Sequence, residues 1–317
     1  MAECPYFEHL LVIPRLRVQN ANAISSPLTH GLPSITAFLG LMWALERKTQ
    51  AAGLDLQLNA VGVVVHRHQE LITEDRFVSA FRLTRNPIDK DGSTAAIVEE
   101  GRIHLELSLI FAVQSPSLTE TDQTLPEQVR ELLMSMRIAG GTLIQSSAPR
   151  SRQVPYCLSL PNDEAEREQL FKRVRLRLLP GFALVERPDL LEQRHAALRE
   201  IDPEASRLDA WLSLSRINWQ YDATEAKWWH DRQGRGWIVP IPVGYGALSG
   251  VQAPGTVVHA RDDRTPFRFV ESLYSIGEWL SPHRLDNPRQ LLWYADTQAD
   301  EGVYRCRNDF QPPQLAD

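Results

Sequence analysis

The order of apolar patterns in the first half of this 317-residue chain constrains the fold more than any other feature. Residues 9–18, HLLVIPRLRV, form a mostly apolar run that predicts a strand. Residues 35–52 repeat apolar side chains at helical spacing behind Ser34, a suitable N-cap, and Gly53 is expected to end that helix. The β-branched residues of 58–66 predict a second strand. The chain therefore begins strand, helix, strand.

The pattern continues with a third strand over 102–113, a second helix over 125–138 that ends at the AGG motif, and a short strand, TLIQ. The resulting order is strand, helix, strand, strand, helix, strand, which is the ferredoxin-like plan that RNA-recognition domains also use. We predict an α+β fold with a ferredoxin-like, RNA-recognition-type core. The core is assigned to residues 1–185, and residues 186–317 are predicted to form a second C-terminal lobe of mixed helix and strand.

A long charged segment separates the second and third strands and exceeds an ordinary hairpin turn. Residues 77–85 and 93–99 predict the two arms of an extended ribbon, with NPIDKDG as the turn between them. We predict a projecting β-hairpin thumb over about 67–101. Such a hairpin would carry Arg82 and Arg85 outwards.

Weaker patterns follow residue 149. Residues 163–179 predict a helix that carries the cationic motif KRVRLR, and LLPGFALVE predicts a turn followed by a strand. Residues 190–219 predict interrupted helix. The segment FVESLYSIGEWLSPHR, residues 269–284, predicts a helix of about a dozen residues.

Composition indicates a globular chain, with 43% hydrophobic and 23% charged residues. The net charge of -6 argues against a protein that holds nucleic acid by bulk electrostatics alone, although local arginine clusters remain compatible with it. No apolar run approaches the roughly 20 residues needed to span a bilayer, so we expect a cytoplasmic protein without membrane contact. Cys4, Cys157 and Cys306 lie far apart, which predicts incidental thiols and neither a zinc site nor a disulfide framework.

The segment between the first strand and the first helix, VQNANAISSPLTHGLPS, is a polar loop with fixed turns. Its amide and hydroxyl groups can both donate and accept hydrogen bonds, so the loop is suited to a polar ligand. The groups concerned are Gln19, Asn20, Asn22, Ser25, Ser26 and Thr29.

Two further motifs have both a structural and a functional interpretation. Gly140 and Gly141 of MRIAGGTL are expected first to end a helix, or else to let a nucleic-acid backbone approach main-chain N–H groups beside Arg137. Arg264 and Arg268 lie among phenylalanines. This segment either presents cations beside aromatic stacking surfaces or places the phenylalanines in the core. The KRVRLR run is expected to be a solvated charged face.

Three histidines are candidates for catalysis or metal binding. His66 and His68 form an H-x-H pattern, but no further ligand stands at a diagnostic spacing, so polar residues near a strand end are the favoured interpretation. His30 in the polar loop is a possible general base for RNA cleavage through a 2′-hydroxyl. Nothing nearby in the sequence identifies the acid, and a ligand contact is favoured.

Six segments in chain order together resemble one known family. That family comprises the small subunits that cap the 5′ handle of the guide RNA in type I-F (Csy) CRISPR surveillance complexes, within the RAMP superfamily. The matching segments are VQNANAISSPLTHGLPS (18–34), FRLTRNPIDKDGSTAAIVEEGR (81–102), MRIAGGTL (136–143), RLLPGFALV (177–185), GWIVPIPVGYGALS (236–249) and RTPFRFVESLYSIGEWLSPHRL (264–285).

This resemblance implies a non-catalytic RNA-binding subunit in antiviral defence, without cofactor or metal. It implies that the chain holds the crRNA 5′ handle, forms a heterodimer with the large subunit and contacts the adjoining backbone subunit. It also implies that target DNA lies near the tail of the complex, where this heterodimer is located. Cutting of the guide precursor belongs to another subunit in that family. The alternative is a metal-independent endoribonuclease that processes CRISPR repeat RNA. A third possibility is a protein-binding scaffold whose loops dock on neighbouring subunits rather than on RNA.

The residues and the resemblance together assign RNA binding to polar and cationic positions in both halves of the chain. Amides suit base edges, and arginines and main-chain N–H groups suit phosphates. The predicted RNA-binding residues are Gln19, Asn20, Asn22, Ser25, Ser26, Arg82, Arg85, Asn86, Arg102, Arg137, Gly140, Gly141, Arg264, Arg268 and Arg284.

Overall fold

The structure is a computed structural model that describes residues 3–75, 78–85, 88, 91–94, 97–116, 118, 124–260 and 262–312. The α-helices in these residues are α1 (Ile35–Ala51), α2 (Thr124–Met134), α3 (Glu164–Arg177), α4 (Pro188–Arg199) and α5 (Arg207–Leu214). Short 3₁₀ helices span Arg150–Arg152, Pro282–Arg284 and Pro288–Gln290.

Of the strands in the described residues, eleven lie in the first half of the chain and seven in the second. The first half contains β1 (His9–Asn22), β2 (Ile24–Ser26), β3 (Thr29–His30), β4 (Gln57–Glu70), β5 (Ile72–Asp75), β6 (Val78–Arg85), β7 (Ile97–Glu100), β8 (Arg102–Gln114), β9 (Arg137–Ile138), β10 (Gly141–Ile144) and β11 (Tyr156–Ser159). The second half contains β12 (Phe182–Glu186), β13 (Trp219–Asp222), β14 (Lys227–His230), β15 (Trp237–Ala247), β16 (Val270–Leu280), β17 (Leu292–Gln298) and β18 (Val303–Asn308).

One large antiparallel sheet organises this mixed α/β fold, in the order β12-β16-β15-β18-β17-β4-β8-β1-β10-β9, with β11 also paired to β1. Successive strand residues point to opposite faces, so the sheet has an apolar layer on each side. On one face Phe111 of β8 belongs to a core cluster with Phe38 of α1 and Val129 of α2. On the other face Ile110 belongs to a cluster with Phe171 of α3.

Strand β4 joins the two halves of the chain. One edge of β4 pairs with β8 along most of its length. The opposite edge pairs with β17 at Val61 and Gly62, and with β12 at Val64 and Val65. A Cβ atom on Gly62 would lie 2.8 Å from Leu291 Cγ, so this close approach requires glycine. One sheet therefore crosses residue 185, and the two-domain division at that residue stays a prediction.

The predicted elements of the first half are confirmed except at the end of the second helix, and the strands extend beyond their predicted ends. The prediction that this helix continues to residue 138 and ends at the AGG motif is wrong, because α2 ends at Met134 and the motif connects β9 to β10, which pair with each other. The predicted helices over 163–179 and 190–219 are also confirmed, as α3 and as α4 with α5. The predicted helix over 269–284 is wrong, because Val270–Leu280 forms β16, paired with β15 on one edge and β12 on the other. Gly277 leaves room there for Leu184 and Ile241, whose side chains lie 2.8 and 3.1 Å from the position of a Cβ atom. Tertiary pairing overrides a local helical pattern.

The predicted hairpin is also confirmed where the structure describes it. Strands β5, β6 and β7 form a separate antiparallel sheet, in which Arg82 pairs with Glu100 and Arg85 with Ile97. Most of the predicted NPIDKDG turn lies outside the described residues. At the base of the hairpin, a Cβ atom on Gly101 would lie 2.6 Å from Ile24 Cγ1. The hairpin therefore rests against the polar loop.

The three cysteines are buried free thiols. Among the helices within the described ranges, none combines the length and apolar character needed to cross a membrane.

Candidate nucleic-acid interface

Four predicted RNA-binding residues meet at one open pocket of about 390 Å³ at the base of the hairpin. They lie far apart in sequence, and the sheet brings them together because β1 runs between β8 and β10. The full lining comprises Asn20, Leu71, Arg82, Thr84, Glu100, Arg102 and Gly140. Leu71, Thr84 and Glu100 were not predicted. Only the short spacing between Glu100 and Arg102 in the motif EEGR could have indicated one of them.

Asn20 is presented to the pocket by an irregular stretch of β1. The pairing of β1 with β8 shifts register between Val18 and Ala21, and Asn20 has a φ of 58°. Asparagine tolerates this left-handed conformation better than most residues. The Asn20 N–H donates to His104 Nδ1 at 3.1 Å, while the side chain is exposed. The bulge thus directs an amide side chain outwards.

The turn between β9 and β10 contributes the opposite wall. Ala139 and Gly140 have φ angles of 47° and 78°, and the Ala139 carbonyl accepts from Asn22 N–H at 2.9 Å. Gly140 is exposed, with open space where a Cβ atom would be. Gly141 is buried, and its Cβ atom would lie 2.7 Å from Ala21 N. Gly140 therefore faces the pocket, whereas Gly141 allows close packing of β10 on β1.

The pocket contains one ion-paired arginine and one exposed arginine. Arg102 donates to Glu100 Oε2 from Nη2 at 2.9 Å and from Nε at 3.2 Å. These hydrogen bonds hold the pKa of Glu100 below its ordinary value. Arg82, directly across the β6–β7 ladder from Glu100, is exposed and makes no ion pair with any other described residue. A phosphate could thus meet Arg82 directly and compete with Glu100 for Arg102.

Several predicted loop residues instead hold the loop in shape. The Asn22 side chain accepts from Ile24 N–H at 3.1 Å and donates to the Ile24 carbonyl at 2.8 Å. The hydroxyls of Ser25 and Ser26 bond to the hydroxyl of Thr29 at 2.8 and 2.6 Å. These three side chains therefore fix the turn that connects β2 with β3.

The remaining predicted residues lie outside the pocket lining. Gln19, Arg85 and Arg137 are exposed on β1, β6 and β9, and Asn86 lies outside the described residues. The other three predicted residues lie in the C-terminal half. Arg264 is exposed and lies 4.0 Å from Asp263, and Arg268 Nε donates to the Ser249 carbonyl at 2.8 Å. Arg284 Nη1 lies 3.9 Å from Glu278 Oε1. The structure does not bring these three arginines to the hairpin base.

His30 lines a second pocket, of about 360 Å³, beside aromatic side chains of the C-terminal strands. Its Nδ1 lies 2.8 Å from Glu70 Oε1, and its ring meets Phe81 edge-on at 5.5 Å between centroids. A carboxylate at Nδ1 favours the tautomer in which Nε2 can accept a proton. The sequence did not indicate this pair, because 40 residues separate the two side chains.

His66 is a half-buried histidine with structural contacts. Its Nδ1 lies 2.7 Å from the Pro180 carbonyl and its Nε2 lies 2.7 Å from Ser108 Oγ, so both ring nitrogens have hydrogen-bond partners. Burial lowers the pKa of His66 from 6.5 to about 4. Across the ranges that the structure describes, no three His, Cys, Asp or Glu side chains form a metal-binding group.

We expect His66 to make the stability of the protein depend on pH below neutrality. The folded-state pKa is depressed, so the unfolded chain binds the proton more readily, and stability falls as pH drops from about 6.5 to about 4. The loss attributable to His66 is at most about 3 kcal/mol, at 1.36 kcal/mol per pKa unit. Urea unfolding of wild type and His66→Gln at pH 7, 5.5 and 4.5 measures it. A variant that keeps the full wild-type pH dependence would contradict this assignment.

Two comparisons with known proteins bear on the interface. A family model described as "CRISPR-associated protein (Cas_Csy2)" matches residues 11–306. A protein named "CRISPR-associated protein Csy2", from Pseudomonas aeruginosa strain UCBPP-PA14, is 46% identical over 314 residues, and the alignment covers 94% of each chain. The family match includes most of β1, the hairpin and the β9–β10 turn.

Proposed function

The chain belongs to the Csy2 family of CRISPR-associated proteins, subunits of the type I-F Csy complex, and we propose that it is the non-catalytic subunit that binds the 5′ handle of the guide RNA. The proposal includes a heterodimer with the large subunit, a contact with the adjoining backbone subunit, and a position near target DNA. Membership of the family supports a role in type I-F CRISPR defence.

The observation that carries the proposal is the meeting of Asn20, Arg82, Arg102 and Gly140 at one pocket. An exposed amide can read a base edge, and two arginines can bind phosphates. Gly140 leaves space for a sugar-phosphate backbone to approach the turn. These are the groups that single-stranded RNA requires, and a net charge of -6 does not oppose binding that is local.

The arrangement of the first half supports a ferredoxin-like core. Strands β4, β8, β1 and β10 are neighbours in that order, and α1 and α2 pack on the same face. When these four strands are numbered in chain order, with β1 first, β4 second, β8 third and β10 fourth, their order in the sheet is two, three, one, four. This is the antiparallel strand order of the ferredoxin-like plan. We assign the β6–β7 hairpin as the thumb of this core, because its base forms one wall of the pocket.

We expect Arg82→Ala and Arg102→Ala each to weaken binding of handle RNA about tenfold, as loss of one charge-assisted hydrogen bond to phosphate does. Each should also reduce the slope of log affinity against log salt by about 0.7. Titration of labelled handle RNA onto the reconstituted complex at several salt concentrations measures both quantities.

The matched control is Arg47→Ala, which removes an exposed arginine from α1, away from the pocket lining. It should leave affinity and salt slope unchanged. Asn20→Ala tests base reading, since it should weaken binding of the handle more than binding of a scrambled sequence of equal length. Unchanged affinity in both pocket arginine variants would refute the assigned interface.

A second candidate function is metal-independent cleavage of repeat RNA, which the His30–Glu70 pair favours. In that mechanism His30 Nε2 would take the proton from a 2′-hydroxyl while Glu70 orients the ring. The 2′-oxygen would bond to the adjacent phosphorus, the bond from phosphorus to the 5′-oxygen would break, and the leaving 5′-oxygen would take a proton from water. Incubation of the purified protein with repeat RNA in EDTA tests it. Cleavage at one position that is lost in His30→Ala would replace the non-catalytic proposal, and intact RNA would remove the alternative.

A further inference from the structure

A third pocket, of about 160 Å³, lies on the α3 side of the sheet. Pro14 on β1, the Arg150–Arg152 3₁₀ helix, Tyr156 and the end of α3 form it. The lining comprises Pro14, Ser151, Arg152, Tyr156, Leu176, Arg177, Leu178 and Leu179 and contains no acidic side chain. Pro14 is six residues from Asn20 on β1, roughly 20 Å along the strand, so this pocket is separate from the one at the hairpin base.

Tyr156 is the feature that indicates a ligand. The residue is 8% exposed, and its hydroxyl oxygen is buried without a hydrogen-bond partner in the described residues. Burial raises the pKa of the hydroxyl to about 12, so the group stays protonated and able to donate at neutral pH. A buried hydroxyl without a partner is costly and uncommon in folded proteins. A bound acceptor would supply the missing hydrogen bond.

Two arginines give the pocket its charge. Arg177 Cζ lies 3.7 Å from the centroid of the Tyr156 ring, a cation–π contact that holds the guanidinium over the ring. Arg152 is exposed at the rim, and neither arginine forms an ion pair within the described parts of the chain. Arg175, from the same KRVRLR motif, instead donates to the Leu285 carbonyl and lies 3.5 Å from Asp286. The motif is therefore not one uniform solvated face.

The carbonyl groups at the end of α3 would oppose an anion if they were free. Two of them already accept hydrogen bonds. The Leu176 carbonyl accepts from Leu179 N–H at 3.3 Å, and the Leu179 carbonyl accepts from Arg15 Nη2 at 3.0 Å. These two hydrogen bonds offset part of the negative charge at the end of α3.

We propose that this pocket binds a phosphate group, held by Arg152, Arg177 and the hydroxyl of Tyr156. The combination of guanidinium donors with a neutral hydroxyl donor is suited to a tetrahedral oxyanion. The phosphate can be free in solution or belong to a nucleic-acid backbone. Exposed Arg150, Lys172 and Arg173 nearby in the chain would extend the cationic surface for the second source.

The substitution Tyr156→Phe provides the sharpest test, because it removes only the hydroxyl and retains the ring beneath Arg177. Thermal unfolding of the full chain is measured in sodium phosphate and in sodium chloride at equal ionic strength. Phosphate is expected to raise the wild-type midpoint. In chloride the variant should be as stable as wild type or more stable, since it loses an unpaired buried group, whereas its phosphate affinity should be about tenfold weaker.

Two further variants separate specific binding from general charge. Arg177→Gln should lose the response to phosphate. Lys172→Gln removes a positive charge from the same helix without touching the pocket lining, and it should respond as wild type does. Two results would overturn a site for free phosphate. One is that Lys172→Gln loses the response to phosphate as completely as Arg177→Gln does. The other is that wild type and Tyr156→Phe respond equally to phosphate.

A second measurement distinguishes the source of the phosphate. Anisotropy of a labelled single-stranded DNA of random sequence is titrated with wild type, Tyr156→Phe and Lys172→Gln. A selective loss in Tyr156→Phe identifies a backbone phosphate, whereas a response to inorganic phosphate alone identifies a free anion. If Tyr156→Phe matches wild type in both assays, the proposal is wrong. Handle binding at the hairpin base would be unaffected by that result, since it depends on other residues.

Discussion

Arg15→Ala is expected to lower the free energy of unfolding by about 3–5 kcal/mol, the usual cost of removing one partner from a buried ion pair. Arg15 Nη1 lies 3.1 Å from Glu106 Oε1, and the two side chains are 8% and 11% exposed. The substitution would leave the Glu106 carboxylate buried without its cation. Urea unfolding at neutral pH measures the loss.

Arg15 also connects separate parts of the structure. Its N–H donates to Ser108 Oγ on β8 at 3.1 Å, and its Nη2 donates to the Leu179 carbonyl between α3 and β12. His66 on β4 bonds to the same Ser108 hydroxyl and to the Pro180 carbonyl. The loss should therefore extend across the junction between the two halves of the chain.

The matched control is Arg17→Ala, two residues further along β1. Arg17 is exposed, so its removal should change stability by no more than about 0.5 kcal/mol. The double variant Arg15→Met with Glu106→Gln removes both charges and should recover part of the loss. Similar losses for Arg15→Ala and Arg17→Ala would show that the buried pair is not the cause.

Gly141→Val is expected to destabilise the protein by about 3 kcal/mol, at the upper end of the cost of overpacking. The Cβ atom would lie 2.7 Å from Ala21 N and 2.8 Å from Ala21 Cα, which are backbone atoms that cannot turn away. Relief requires β10 to move from the bulge that presents Asn20. Affinity for handle RNA should therefore fall with stability, and both are measured on the same preparation.

Gly140→Ala is the control for this effect at the adjacent position. No atom lies within 4 Å of the Cβ position of Gly140, so only its φ of 78° opposes a side chain. That conformation costs about 1–2 kcal/mol for an L-residue. If Gly140→Ala proved more destabilising than Gly141→Val, backbone strain rather than contact with β1 would govern this turn.

Local patterns predicted much of the fold in the first half of the chain. Apolar periodicity identified α1, α2 and the strands that accompany them, because each of these elements buries one face or one stripe of side chains. The same reasoning failed at Val270–Leu280, which has strand neighbours on both edges. Nothing within those eleven residues specifies β12 and β15 as partners, since the contacts come from residues far away in sequence.

The candidate interface shows the same division. The polar loop was predicted from residue types, and Asn20, Arg82, Arg102 and Gly140 do line one pocket. The glycine motif was predicted to end a helix, whereas it connects β9 to β10. The sequence could not show that the amide of Asn22 and the hydroxyls of Ser25 and Ser26 bond within the loop. A polar side chain carries the same donors and acceptors whether it faces a ligand or the backbone beside it.

By itself, the sequence determined the order of the main elements in the first half of the chain, the polar character of the loop and the resemblance to CRISPR subunits, since these depend on residue types at short spacing. Only the tertiary structure decided that Arg15 is buried against Glu106, that Arg177 covers Tyr156, and that His30 meets Glu70. Each of these contacts joins residues on different elements. Their chemistry depends on burial and distance, which a residue acquires only when distant parts of the chain pack around it.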